Sequence, residues 1–286
     1  MPKPYRRRDT EPMDAADISR RINAERLLLV AWLRAVLLQL AHPLIAAGVA
    51  EHSTFRSSRA AAFARLHQTV GAMLALTFGE RGQARRAADR INAIHDRVNG
   101  RLPRAEGPFA AGTPYSACDP ALLGWVHATV VDSFLLAYER YVRRLSPAER
   151  DQYCAESALT ESLLRIPAGA LPRTASALES YVTCRLESGE IFVTDTARAL
   201  VRGVLYPPMS APAWPALAAM RLATVGLLPS ALREAYGFSW SPGRAAAFGA
   251  STIAIRGLLP LVPPMLRQWP AARAAMRQAA EYNSPR

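Results

Sequence analysis

From residue 17 onward the chain is a succession of apolar runs with helical spacing, separated by prolines, glycines and short polar breaks. Strand-like alternation of Val, Ile, Thr, Tyr and Phe is scarce, so the expected fold class is all-α. Residues 1–15 are polar and contain proline, and are expected to form a flexible arm ahead of one α-helical domain over 16–286. A helix is expected from Asp17 or Ser19 to about Ala41, because Pro43 disfavours helical geometry at His42. A short helical piece then reaches Gly48 or beyond. Helices over 59–78 and 83–99 find stops at Gly79 and Gly100. The Pro/Gly-containing stretch 101–118 is a loop of the kind that closes over a site. Asp119-Pro120 supplies an N-cap and a first-turn proline for a helix to about Leu145. Its first half is expected to be buried, its second to reach solvent near Tyr138. Ser146-Pro147-Ala148-Glu149 is a capping box for a helix ending near Arg165. Further helices are expected at 174–188, 195–205, 212–226, 229–236, 242–258 and 270–282.

The apolar run Leu27 to Ala50 raises the question of a membrane span. It contains Arg34, Gln39 and His42. An arginine in mid-bilayer costs roughly 2.5–3.5 kcal/mol on insertion scales, so a buried core helix is the preferred reading. The N-terminal basic run has no apolar segment behind it, which predicts no secretory signal and a cytoplasmic setting.

Half of the 286 residues are hydrophobic, enough for a sizeable core. The net charge of +12 is almost all arginine, since Lys3 is the only lysine. Such a bias follows from base composition, or it provides a basic face for an anionic partner such as a lipid surface. The arginines are dispersed and not interleaved with aromatics in one groove, so no nucleic-acid partner is expected. Three well-separated cysteines form neither CxxC nor CxxCH. That argues against a disulfide framework, a zinc knuckle and covalent haem attachment.

All five histidines (His42, His52, His67, His95 and His127) fall within one stretch of the chain. No HExxH occurs, and no histidine has glutamate three residues before it, so zincin and di-iron bundle patterns are missing. GxSxG, the P-loop and GxGxxG are also absent. On helix 59–78, Arg65 and Thr69 are four apart and share a face, with His67 roughly opposite. A guanidinium beside a hydroxyl can anchor a carboxylate or donate to an oxygen species, or it is an ordinary surface pair. His95 follows Ile91 and Ile94 on an apolar face. It suits an axial haem ligand or a core histidine bonded to a carbonyl. His127 sits among Leu123, Val126, Val130 and Val131, as a structural contact or a cofactor-side group. His42 stands at a helix break, and Glu51 beside His52 offers an acid/base pair or an exposed loop end.

These pieces form an ordered series. Arg34 to Pro43 leads into Gly48-Val49-Ala50-Glu51-His52-Ser53, then Arg65-xxx-Thr69 and Phe78-Gly79. Asn92-Ala93-Ile94-His95 with Gly100, Tyr115-Ser116-Ala117, Asp119-Pro120 and Trp125 to Ser133 complete it. Over roughly residues 20–270 the series resembles the oxygenase family of latex-clearing rubber oxygenases and the MpaB-type oxygenase. The resemblance implies an all-helical fold with one non-covalent haem b, and cleavage of a C=C bond with O2. It implies His95 as the proximal iron ligand, Arg65 and Thr69 as the polar pair beside the haem, and Glu51 as a distal acid/base. His42 and His127 are candidates for the cofactor pocket. Rubber oxygenases have lysine where this chain has Gln68. The missing export signal implies a small apolar substrate, isoprenoid or lipid-like, in place of an extracellular polymer. Helices 59–78, 83–99 and 119–145 would enclose the haem, and apolar walls from 27–40 and 122–136 would accept the alkene. The alternative is a non-catalytic haem- or lipid-binding protein, with peripheral membrane contact compatible with either.

Overall fold

The computed structural model describes residues 17–52, 59–207 and 211–283; the expected arm lies outside them. The described fold is all-α, with one two-stranded sheet. Helix α1 (Asp17–Asn23) leads through a 3₁₀ turn, Arg26–Leu28, into α2 (Leu29–Leu40) and α3 (Pro43–His52). A helical hairpin follows, α4 (Arg59–Phe78) and α5 (Arg81–His95), and then strands β1 (Asn99–Arg101) and β2 (Pro114–Ser116). The long α6 (Pro120–Tyr141) and α7 (Pro147–Ser157) come next. The remaining helices are α8 (Ala175–Glu187), α9 (Asp195–Leu205), α10 (Trp214–Gly226), α11 (Ser230–Ala235), α12 (Pro242–Leu258), α13 (Pro264–Arg267) and α14 (Pro270–Asn283).

Local chemistry sets many of these ends. Asp119 caps α6 by accepting from the N–H groups of Ala121 and Leu122. Ser146 and Glu149 form the reciprocal capping box of α7. Thr174, Thr194 and Ser241 cap α8, α9 and α12.

The core is built on α2 against α6. Arg34 Nη1 donates to Asp132 Oδ2 (2.6 Å), and Gln39 Nε2 donates to Thr129 Oγ1 (3.1 Å). The partners run backwards along α6 as α2 advances, so the two helices are antiparallel. Leu37, Leu38 and Trp125 are fully buried in their shared core. Arg34 is itself buried, with Nε on the Leu227 carbonyl (2.8 Å) and Nη1 also on Ser133 Oγ (2.7 Å). Buried charge is tolerated here because a carboxylate, a hydroxyl and a carbonyl receive it.

At His42-Pro43 the chain bends by 106° between Arg26–Leu40 and Pro43–His52. Carbonyls near the bend take outside partners: the Tyr236 hydroxyl donates to Leu37 O (2.6 Å) and Phe192 N–H to Ala41 O (2.8 Å). That bent pair, and α6 by itself, are long and apolar enough to cross a membrane, but 67% of the apolar 18-residue window of α6 is buried within the protein.

Several expectations need correction. The first helix is interrupted at Ala24-Glu25, because Glu25 is extended, bridges to Gln268 and ion-pairs with Arg267. Helix α5 ends at His95, not 99, since 99–101 is drawn into pairing with 114–116. Helix α7 ends at Ser157. Buried Glu161 accepts the N–H groups of Gly169 (3.1 Å) and Leu171 (2.9 Å), folding the following segment into a tight loop. The C-terminal half of α6 stays buried through Tyr138 and Tyr141, because α12 packs over it.

Candidate functional site

The site is assembled around the hairpin β1–β2, which begins four residues after His95. Asn99 pairs with Ser116, Gly100 with Tyr115 and Arg101 with Pro114. Tyr115 points into the fold and is buried. Two glycines make room for it. A Cβ on Gly100 would lie 2.5 Å from the Tyr115 hydroxyl, and one on Gly48 would lie 3.6 Å from its ring and 3.3 Å from Val98. The hydroxyl donates a short hydrogen bond to Glu51 Oε2, at the end of α3. His52 Nε2 stands 3.4 Å from the same hydroxyl and donates to the Asn99 carbonyl (3.2 Å). Burial, followed by the Glu51 carboxylate, pushes the Tyr115 phenol up to about 12, so it holds its proton at neutral pH.

Glu51 and His52 are exposed, but each is tied down, so the pair is more than a free loop end. The role of Tyr115 was not evident from the sequence. Its signal was the pairing of Gly100 with Tyr115, which becomes meaningful once the hairpin register is known.

Helices α4 and α5 form a hairpin turned at Gly79-Glu80 and pack along their length. Counted from the turn at 1.5 Å per residue, position 95 lies roughly level with positions 64–65. Arg65 is on that turn of α4, and its side chain lies outside those described. Thr69 is partly buried, while His67 and Gln68 are exposed. His95 is partly buried and continues the stripe Ala84, Ala88, Ile91 along α5. Ile94, seven residues on from buried Ala87, lies at the edge of the inward face in the last turn of α5, and is exposed.

His42 and His127 have local work. The buried His42 ring accepts the Leu44 N–H at Nδ1 (3.3 Å), capping α3, and packs on Phe109 at 5.5 Å. Burial, then Arg185, lowers it to about 4. His127 Nε2 donates to the Ser157 carbonyl (3.1 Å) and lies 3.0 Å from Thr160 Oγ1, tying α6 to the end of α7. Burial lowers it to about 4 as well. The loop 101–118 does close over something: Phe109 covers His42, and Leu102 and Tyr115 pack with Ala47 of α3.

Two parts of the expected enclosure differ. The apolar faces of 27–40 and 122–136 are packed on each other as core. Between α5 and α6 lies the segment at Leu163-Leu164, where Asn92 Nδ2 donates to the Leu163 carbonyl (2.9 Å) and Leu164 touches both helices' clusters. Two surface hollows, along α8 and beside Tyr206 and Tyr236, do not involve His95.

Among the described residues no three His, Cys, Asp or Glu side chains stand together as a metal site. A single partly buried imidazole at a helix end can still serve as the one protein ligand to haem iron. The setting fits that group. Apolar Ile94 is exposed beside His95, and Thr69 is partly buried on the facing helix.

Compared with known protein families, residues 19–257 match "ER-bound oxygenase mpaB/B'/Rubber oxygenase, catalytic domain". The chain belongs to this family. As a member of an oxygenase family it is assigned, coarsely, O2 and an organic substrate. Neither the curated proteins nor the solved structures gave a match. The match runs from within α1 to within α12 and therefore takes in every residue of the site. It stops before Leu258.

Proposed function

We propose that the chain is a haem-b-dependent oxygenase that cleaves a C=C bond of an apolar, isoprenoid- or lipid-like substrate with O2. The observation that carries the reading is the Glu51–Tyr115 bond between α3 and the hairpin that leaves His95. It joins an acid/base pair at the end of α3 to the helix end that would carry the iron ligand. Haem, when bound, supplies redox-active iron for dioxygen chemistry. His95 is the residue to hold that iron. Arg65, from the level of α4 beside it, and Thr69, one turn further along α4, orient charge and oxygen atoms. Glu51 accepts or returns a proton at Oε2, and the Tyr115 hydroxyl holds it in place. His42 and His127, each engaged in its own bonds, support the surrounding helices.

The test is an absorption spectrum of protein produced with ample haem supply. A Soret band is expected, lost in His95→Ala. A colourless protein that ignores added haemin overturns the reading. Oxygen uptake with an unsaturated isoprenoid then separates an oxygenase from a second reading, a haem- or lipid-binding protein without turnover. That second reading draws on Gln68, exposed and uncharged at the position where rubber oxygenases have lysine.

A further inference from the structure

The described residues expose eleven large hydrophobic side chains, and five fall in one short stretch: Ile253, Leu258, Leu261, Met265 and Leu266. Each of the five is exposed, between 60% and 77%. Scattered apolar residues are ordinary on a surface, but a run of this kind is not. It starts on the outer face of α12, where only Phe248 is buried, and continues through the 3₁₀ turn Leu259–Leu261 into α13.

The run is held at both ends. At one end Phe248 lies against Gly226, where a Cβ would come within 2.6 Å, and under the Arg140 guanidinium at 4.6 Å. At the other, Arg267 pairs with buried Glu25 (Nη2 2.9 Å, Nε 3.0 Å), Trp269 N–H donates to Ala24 O (3.0 Å), and Arg26 lies over the Trp269 ring at 5.5 Å. Pro260, Pro263 and Pro264 stiffen the span between. The apolar surface is therefore preformed, and docking it requires little ordering.

Charge selects the occupant. From Ala235 to Ala280 there is no aspartate or glutamate, and there are five arginines: Arg244, Arg256, Arg267, Arg273 and Arg277. Arg267 is engaged with Glu25, while Arg256, inside the run, is exposed and pairs with no carboxylate among the described residues. A second copy of the chain docked face to face would bring like charges together, at a cost. An anionic bilayer surface supplies the missing negative charge and an apolar layer beneath it.

We propose that the α12–α13 strap is a membrane-docking surface, with Leu258, Leu261, Met265 and Leu266 entering the acyl boundary and Arg256 meeting anionic headgroups. Leu258, Leu261, Met265 and Leu266 lie beyond the family match, which ends at 257, and the inference is independent of the oxygenase reading.

The test is co-sedimentation of the full chain with phosphatidylcholine vesicles, with and without phosphatidylglycerol, alongside light scattering for mass in solution. Binding to acidic vesicles that weakens with salt is expected, from a monomer. The triple substitution Leu258→Ser, Leu261→Ser, Leu266→Ser should lower partitioning roughly tenfold or more. Arg256→Glu should lower it about fivefold or more. All four positions are exposed, and an unchanged melting transition checks folding. Absence of binding to acidic vesicles, binding indifferent to lipid charge or to the triple substitution, or a dimer that the triple substitution dissociates would each overturn the proposal.

Discussion

The Tyr115 hydroxyl donates to the Glu51 carboxylate across 64 residues of sequence, and Gly100, its strand partner, makes the space in which it does so. This contact links α3 to the hairpin after His95, so disturbing either end should be felt at the site.

Tyr115→Phe keeps the ring between Gly48 and Gly100 but frees Glu51. Haem content should be unchanged, while oxygen-dependent turnover falls about a hundredfold, at the lower end for acid/base groups. Turnover at the wild-type rate would remove Glu51–Tyr115 from the chemistry. In the wild type, Tyr115 should stay protonated well past pH 10. Its folded value is raised above the unfolded one, so its contribution to stability is full below about pH 10 and is lost as pH rises through about 12. Ultraviolet titration of phenolate absorbance checks this.

Gly100→Ala should reproduce the Tyr115 defect from the opposite side. The new methyl would lie 2.5 Å from the phenol oxygen, so the ring must leave Glu51 or the hairpin must open. Overpacking of this kind costs about 1–3 kcal/mol. A cycle with Tyr115→Phe should be non-additive, measured by urea unfolding and by turnover.

His42 and His127 should make the fold acid-sensitive. Burial lowers both from 6.5 to about 4, so the unfolded chain binds more protons between those values. Their contribution to stability is full above about pH 6.5 and is lost as pH falls toward 4. The melting temperature should drop across that window, and less steeply in His127→Gln.

Arg34→Ala should be among the most damaging core changes. It leaves Asp132, Ser133 and the Leu227 carbonyl without their donor. Breaking a buried pair from one side costs about 3–5 kcal/mol, measurable as a lower urea midpoint. Arg34→Met with Asp132→Asn should recover part of the loss.

The helices were largely legible from sequence because their determinants are local. Asp119-Pro120, Ser146 with Glu149, Thr174 and the Pro43 break all act within one turn, so each could be recognised in its own neighbourhood. The buried character of α2 was legible for a related reason, since Arg34 and Gln39 on an apolar helix need internal partners. The ordered motifs also identified the family, which the match over 19–257 bears out. Tertiary structure decided the rest. Glu25 interrupts the first helix because its partner, Arg267, is 242 residues away. The hairpin forms because Tyr115 fills the space at Gly100, and three-residue strands carry too little periodicity to announce themselves. Whether α2 and α6 wall a cavity or form the core depends on which apolar face meets which. Periodicity names the faces; only packing chooses the neighbours.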